Sequence, residues 1–159
     1  MNQPAEGRVR LTLEGDRLEV RLKAKDLDGG VHLAHLHGVP QAENECPQVA
    51  VHDTDGNGLV DILEGLVTYG PVQLTLSEGL NDTGTRIKYR REFAALDTGE
   101  SFVELGDLSQ YAIVVHGVDL DGDGLATNPD VDGDGDEDAA PHSDNEISMP
   151  ALCGTVGQH

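Results

Sequence analysis

The sequence predicts an all-β fold, an antiparallel Greek-key sandwich or barrel of about seven to eight strands with two long Asp-rich loops. Three observations carry this prediction: apolar residues alternate with polar ones in short blocks, Gly- and Asp-rich turns separate the blocks, and no long stretch keeps a helical period. Val9, Leu11 and Leu13 alternate along a first strand, Gly15-Asp16 supply a turn, and Leu18, Val20 and Leu22 alternate again. Residues 7–27 therefore read as a hairpin whose strands each have one wet face. Further strands are expected at 31–37, 71–76, 86–93, 111–116 and 152–156, with 53–64 and 119–138 as loops grafted between them.

A chain of 159 residues suits a single domain over 1–159. Hydrophobic residues make up 37%, enough for a modest core without Trp. Thirty acidic against ten basic side chains give a net charge of -20. That excess argues against nucleic acid or an anionic membrane surface as partner, because both need a cationic face, and aromatics at 3% leave little to stack on bases. Metal ions are the natural partners. No apolar run approaches the roughly 18 to 20 residues of a membrane-spanning helix, so membrane insertion is not expected, and the chain opens in polar sequence without a signal-peptide core. The charge is unevenly placed: every Lys and Arg lies in 8–25 or 86–91, whereas 119–138 holds nine acidic residues and no basic one.

The stretch Asp53-Thr-Asp55-Gly-Asn57-Gly58-Leu59-Val60-Asp61-Ile-Leu-Glu64 fits the twelve-residue EF-hand calcium loop at every ligand position. Side-chain oxygens come from Asp53, Asp55 and Asn57, a backbone carbonyl from Leu59, a direct or water-mediated contact from Asp61, and a bidentate carboxylate from Glu64. Asp119-Leu-Asp121-Gly-Asp123-Gly-Leu125 begins a second such loop whose twelfth position is Asp130. Asp130 then opens a third run through Asp132, Asp134 and Asp136 to Asp138. The spacing resembles thrombospondin type 3 calcium repeats, in which neighbouring sites share aspartates, and one or two ions are expected here. Without counter-ions the nine carboxylates would repel one another, so calcium would order the loop. Adaptation to salt would account for the acidity but not for the Asp-x-Asp-x-Asp-Gly spacing.

Alternation puts His35 and His37 on one face of a strand, a chelating arrangement. His116 ends the apolar strand Ala112-Ile-Val-Val-His, and His52 directly precedes the first calcium loop. Each alone suits a structural histidine. Cys46 and Cys153 stand 107 positions apart without a Cys-x-x-Cys motif and read as one long-range disulfide or two buried thiols.

Taken together, His32-x-x-His35-x-His37, Cys46, His52, Val114-Val115-His116 and Ala151-Leu152-Cys153-Gly154 resemble the Cu/Zn superoxide dismutase family. His-Leu-His-Gly, Glu-Gly-Leu-x-x-Tyr-Gly-Pro and Val-Val-His-Gly-Val-Asp are also similar to a group of secreted prokaryotic proteins related to superoxide dismutases and CHRD domains. The resemblance implies copper held by His35, His37, His52 and His116, a Cys46–Cys153 disulfide, a structural role for His32, and His52 or solvent as proton donor. His142 lies in the loop that borders the copper channel of the family, and either approaches the metal or is solvated. No histidine occurs from 53 to 115, where zinc ligands belong, so a copper-only site is expected, without zinc. The arginine that the family carries three residues before its second cysteine is Pro150 here.

The function implied is that of a secreted, periplasmic or cell-surface copper protein, stabilised by calcium, that dismutates superoxide. The alternative is a non-catalytic copper- and calcium-binding module for copper storage or delivery, or a CHRD-like interaction domain. A charge of -20 repels the superoxide anion and favours slow catalysis or none.

Overall fold

The computed structural model describes residues 2–38, 43, 45–78, 82–127 and 146–157, with the backbone alone at 103 and 104. The third Asp run, from Asp130 to Asp138, and His142 lie outside the described residues.

Alternation builds two sheets. Strands β1 (Glu6–Glu14) and β2 (Arg17–Lys25) form the expected hairpin, and a later strand, Arg86–Phe93, joins β2 at its other edge. After β2 come a two-residue strand β3 (Gly29–Gly30), β4 (Ala34–Gly38), β5 (Val72–Thr75), the Arg86–Phe93 strand as β6, and β7 (Tyr111–His116). The described strands end with the short β8 (Leu125–Ala126) and β9 (Pro150–Thr155). One sheet has the order β1-β2-β6 and the second β5-β4-β7-β9, both antiparallel, while β3 and β8 pair in parallel. The chain crosses between the two larger sheets after β2, after β5 and after β6.

Period-two patterning packs them face to face. Leu18, Val20, Leu22 and Ile87 from the first sheet share one core with Leu36, Leu74, Ile113 and Val115 from the second. The sandwich form holds and the closed barrel does not: β1 and β9 come alongside at Gly7 and Leu152, yet among the described residues no hydrogen-bonded ladder joins the two larger sheets.

Two short α-helices, which the sequence reading did not place, lie between β4 and β5. α1 (Val49–His52) is a single turn, and α2 (Ile62–Tyr69) follows directly on the first acidic loop. The periodicity of α2 was invisible because its buried face is Glu64, Gly65, Thr68 and Tyr69, while Leu63, Leu66 and Val67 point outward. Its stability comes from the N-terminus: the Asp61 side chain accepts from the N–H of Glu64, and the Glu64 carboxylate accepts from the N–H of Asp61.

Cys46 and Cys153 form a disulfide with Cα atoms 5.6 Å apart, so neither is a free thiol. It fastens the segment before α1 to β9, and by loop-closure entropy such a bridge contributes about 4–5 kcal/mol. No helix among the described residues is long and apolar enough to cross a membrane.

Candidate metal centre

The outer face of the second sheet gathers three histidines. Because Leu36 points into the core, its neighbours His35 and His37 project from the opposite face of β4. Pairing with β7 sets Val114 across from His35 and Ala112 across from His37, and His116 lies two residues beyond Val114 on the same face. The rings meet with centroids 5.5 Å (His35 and His37), 5.1 Å (His35 and His116) and 5.7 Å (His37 and His116) apart. One ligand nitrogen from each lies within 4.8 Å of the others.

Backbone carbonyls aim these rings. The Nδ1–H of His37 donates to the Gly70 carbonyl at 2.8 Å, and that of His116 to the Ser148 carbonyl at 2.6 Å. Fixing the proton on Nδ1 leaves Nε2 of both rings as a lone pair. These two Nε2 atoms and Nδ1 of His35 are buried and have no hydrogen-bond partner among the described residues. Burial disfavours the imidazolium form of all three. It lowers His37 to about 4 against a weaker upward pull from Gly70, and lowers His116 to about 3 with the added effect of His35 and His37. His35 is also lowered by burial, with Asp97 opposing. At neutral pH the cluster is therefore three uncharged donors facing one point, the state a transition metal requires.

A lid formed by α2 and the residues around it covers the cluster. The Tyr69 ring stands edge-on to His37 at 4.6 Å and packs on Ala112, Val114 and Cys153. Room for it exists because residue 65 is glycine, where a Cβ would come within 2.5 Å of the Tyr69 ring. Gly70, at φ 81°, ends the helix, and its carbonyl meets His37. The Glu-Gly-Leu-x-x-Tyr-Gly-Pro stretch thus encodes a lid.

His52 is not one of the converging three. Its Nδ1 accepts from the Gln48 N–H at 2.9 Å within its own short helix, and its Nε2 lies 4.0 Å from the Glu43 carboxylate. His32 is a buried brace, with Nδ1 2.9 Å from the His116 carbonyl and Nε2 3.1 Å from that of Asp28. Pro150 is buried opposite His116 at the start of β9.

The first acidic loop brings Asp53, Asp55 and Glu64 together. Glu64 Oε1 accepts from the N–H groups of Thr54 (2.6 Å) and Asp55 (3.3 Å), and Oε2 from that of Asp61 (3.1 Å), the second, third and ninth loop positions. Against the upward push of burial, these bonds hold its carboxyl below the ordinary value. Asp53 accepts from Gly56, Asn57 and Gly58. Val60, at position eight, is clamped by the Asn2 side chain, which bonds both its N–H and its carbonyl at 2.8 Å.

The second loop repeats this arrangement with a residue that the spacing did not reveal. Asp119, Asp121 and Asp123 gather as the first group does. Glu146 Oε1 accepts from Leu120 (2.7 Å) and Asp121 (3.1 Å), and Oε2 from Thr127 (2.9 Å), again loop positions two, three and nine. Glu146 is 2% exposed. Asp130, expected to close this loop, lies outside the described residues, and the contacts made by Glu64 in the first loop are made here by a residue 26 positions beyond Leu120. The signal available in the sequence was the lack of a twelfth-position glutamate, which calls for a carboxylate from elsewhere in the chain. Leu59 and Leu125 hold the seventh positions.

No family model matches the sequence, and neither a curated protein nor a solved structure is significantly similar to it.

The lowered histidines give the metal-free protein a defined acid response. Above about pH 6.5 the imidazoles are neutral in both folded and unfolded chains. As the pH falls below that, the unfolded chain binds protons that His37 and His116 refuse until about 4 and about 3, so stability drops over this window. Urea unfolding of chelator-treated protein at pH 7 and pH 5 is expected to show the loss, and His116→Asn to reduce it. A midpoint independent of pH would contradict the burial of these rings.

Proposed function

We propose that this chain is a secreted copper-only protein, stabilised by calcium, that dismutates superoxide slowly. The observation that supports it is the convergence of three buried, uncharged imidazole nitrogens from His35, His37 and His116 that have no partner among the described residues. An all-imidazole donor set suits copper in both oxidation states, and a site without thiolates or carboxylates favours it over harder ions. The resemblance to the superoxide dismutase family points the same way. The chemistry that copper supplies when bound is a one-electron couple, by which one superoxide is oxidised to O2 and the next reduced to peroxide.

The residues divide the work. Gly70 and Ser148 orient the rings of His37 and His116. Tyr69 covers the cluster on the helix side. His52, on the segment fastened by the disulfide, is the fourth imidazole. Its Nδ1 is held by the Gln48 N–H, and an imidazole outside the converging three suits a proton donor to peroxide. Calcium in the loops at 53–64 and 119–127, closed by Glu64 and Glu146, holds the lid and the segment after β7. A disulfide with export to an oxidising compartment accords with this role.

A second reading, copper storage or delivery without turnover, is favoured by the separation of His52 from the cluster and by the absence of Lys and Arg after Arg91.

Two experiments test the proposal. Copper-loaded protein is expected to dismutate superoxide above the rate of its His37→Ala variant, and kcat/KM is expected to rise with ionic strength, because salt screens the repulsion between an anionic substrate and a chain of -20. Tight copper binding without turnover selects the carrier reading, and a rate that falls with salt contradicts the electrostatic account. For calcium, an ion at about 100 times its Kd stabilises a site by about 2.7 kcal/mol. Glu146→Gln is expected to remove one such increment from the calcium-dependent thermal shift, and Asp130→Asn to remove less. An unchanged calcium response in Glu146→Gln would contradict closure by that residue.

A further inference from the structure

The net charge of -20 hides a cationic face. The ten Lys and Arg all fall on or within the strands of the first sheet, and strand alternation sends nine of them outward. The fourteen outward positions of β1, β2 and β6 carry nine basic residues, four acidic ones and Thr12, a net of +5. The other residues of the chain therefore sum to -25.

Strand register arranges these cations in rows. Arg8 pairs with Lys23 and Lys23 with Lys88, while Arg10 pairs with Arg21 and Arg21 with Arg90. Each row places three like charges across adjacent strands at about 5 Å spacing, with the rows about 7 Å apart. Like charges directly opposite one another destabilise a sheet. In the second row Glu19 relieves the repulsion by pairing with Arg21 and Arg90, which hold its carboxyl below the ordinary value. The first row has no such relief: among the described residues Arg8, Lys23 and Lys88 form no ion pair. The alternation could carry carboxylates at these positions as it does at Glu6 and Glu14, so the fold itself does not require the rows.

We infer that this face binds an anionic polysaccharide, a hydrated chain bearing sulfate or uronate groups. The rows supply charge complementarity, and guanidinium forks suit planar acid groups. What the face lacks argues against other occupants. None of its fourteen outward residues is aromatic or aliphatic, so it offers no platform for stacking bases, no apolar anchor for a protein partner and nothing to insert into a membrane. A broad anionic surface or a second copy of this chain would also meet the remaining charge of -25, whereas a thin chain lying along the rows would meet the cations alone. None of these residues belongs to the histidine cluster or the acidic loops, so the inference is independent of the copper reading.

Chromatography of the calcium-loaded protein on immobilised heparin and on immobilised polygalacturonate tests it. Retention is expected on at least one resin at about 50 mM salt and loss by about 200 mM, despite the overall charge. The triple variant Arg8→Gln, Lys23→Gln, Lys88→Gln breaks no ion pair. It is expected to keep or raise the thermal midpoint and to weaken binding at least about tenfold. Wild-type protein that fails to bind either resin, or a triple variant that binds as well as wild type, would overturn the inference. So would equal or tighter binding of duplex DNA or of phosphatidylglycerol vesicles that the same substitutions abolish.

Discussion

Three buried imidazole nitrogens, from His35, His37 and His116, face one another without a hydrogen-bond partner among the described residues, and the second sheet holds them there. A neutral imidazole has one donor and one acceptor, and in His37 and His116 the donor is spent on a backbone carbonyl. The remaining lone pairs converge where no donor is available among the described residues. Leaving each buried nitrogen unpaired costs about 1–3 kcal/mol, and protonating one to make a donor costs the desolvation that already lowers these groups. A cation satisfies all three at once. The pairing of β4 with β7, the close approach of Gly65 to Tyr69 and the turn at Gly70 all keep the three rings in this geometry.

One helix ties that cluster to the first acidic loop. The N-terminal turn of α2 contains Glu64, which gathers the backbone of Thr54, Asp55 and Asp61, and its C-terminal end presents Tyr69 and the Gly70 carbonyl to His37. A cation drawn by Asp53, Asp55 and Glu64 would act on the same two turns that hold His37. The disulfide fastens the preceding segment, including α1 and His52, to β9. On the other side of the cluster, Glu146 gathers the second loop two residues before Ser148, whose carbonyl aims His116. Each acidic loop is thus closed by a glutamate just before a backbone segment that orients one histidine.

Much of this was legible in the sequence because it obeys local rules. Period two located β1, β2 and β6, a continuous apolar run located β7, and the His-x-His spacing put His35 and His37 on one face. The acidic loops announced themselves by ligand spacing. Other features depend on contacts that sequence spacing does not carry. α2 carries no apolar stripe to signal it, because its buried face is made of Glu, Gly, Thr and Tyr, although Asp61 and Glu64 form a capping box. Glu146 is brought to the second loop by tertiary folding across a long stretch of chain. The position of His52 depends on how the ring is held by Gln48. The cationic rows needed cross-strand register, since composition alone gave only an excess of acid.

The separation of charge follows from the same architecture: one sheet faces outward with the basic residues, and the other supports the histidines and the acidic loops. The claim on which the account stands is that His35, His37 and His116 ligate a metal together, and an EPR spectrum of calcium-saturated protein with one equivalent of Cu(II) tests it most directly. The account predicts a single tetragonal signal with superhyperfine splitting from at least three nitrogens, abolished by His116→Ala. A weak or heterogeneous oxygen-ligated signal that His116→Ala leaves unchanged would contradict it.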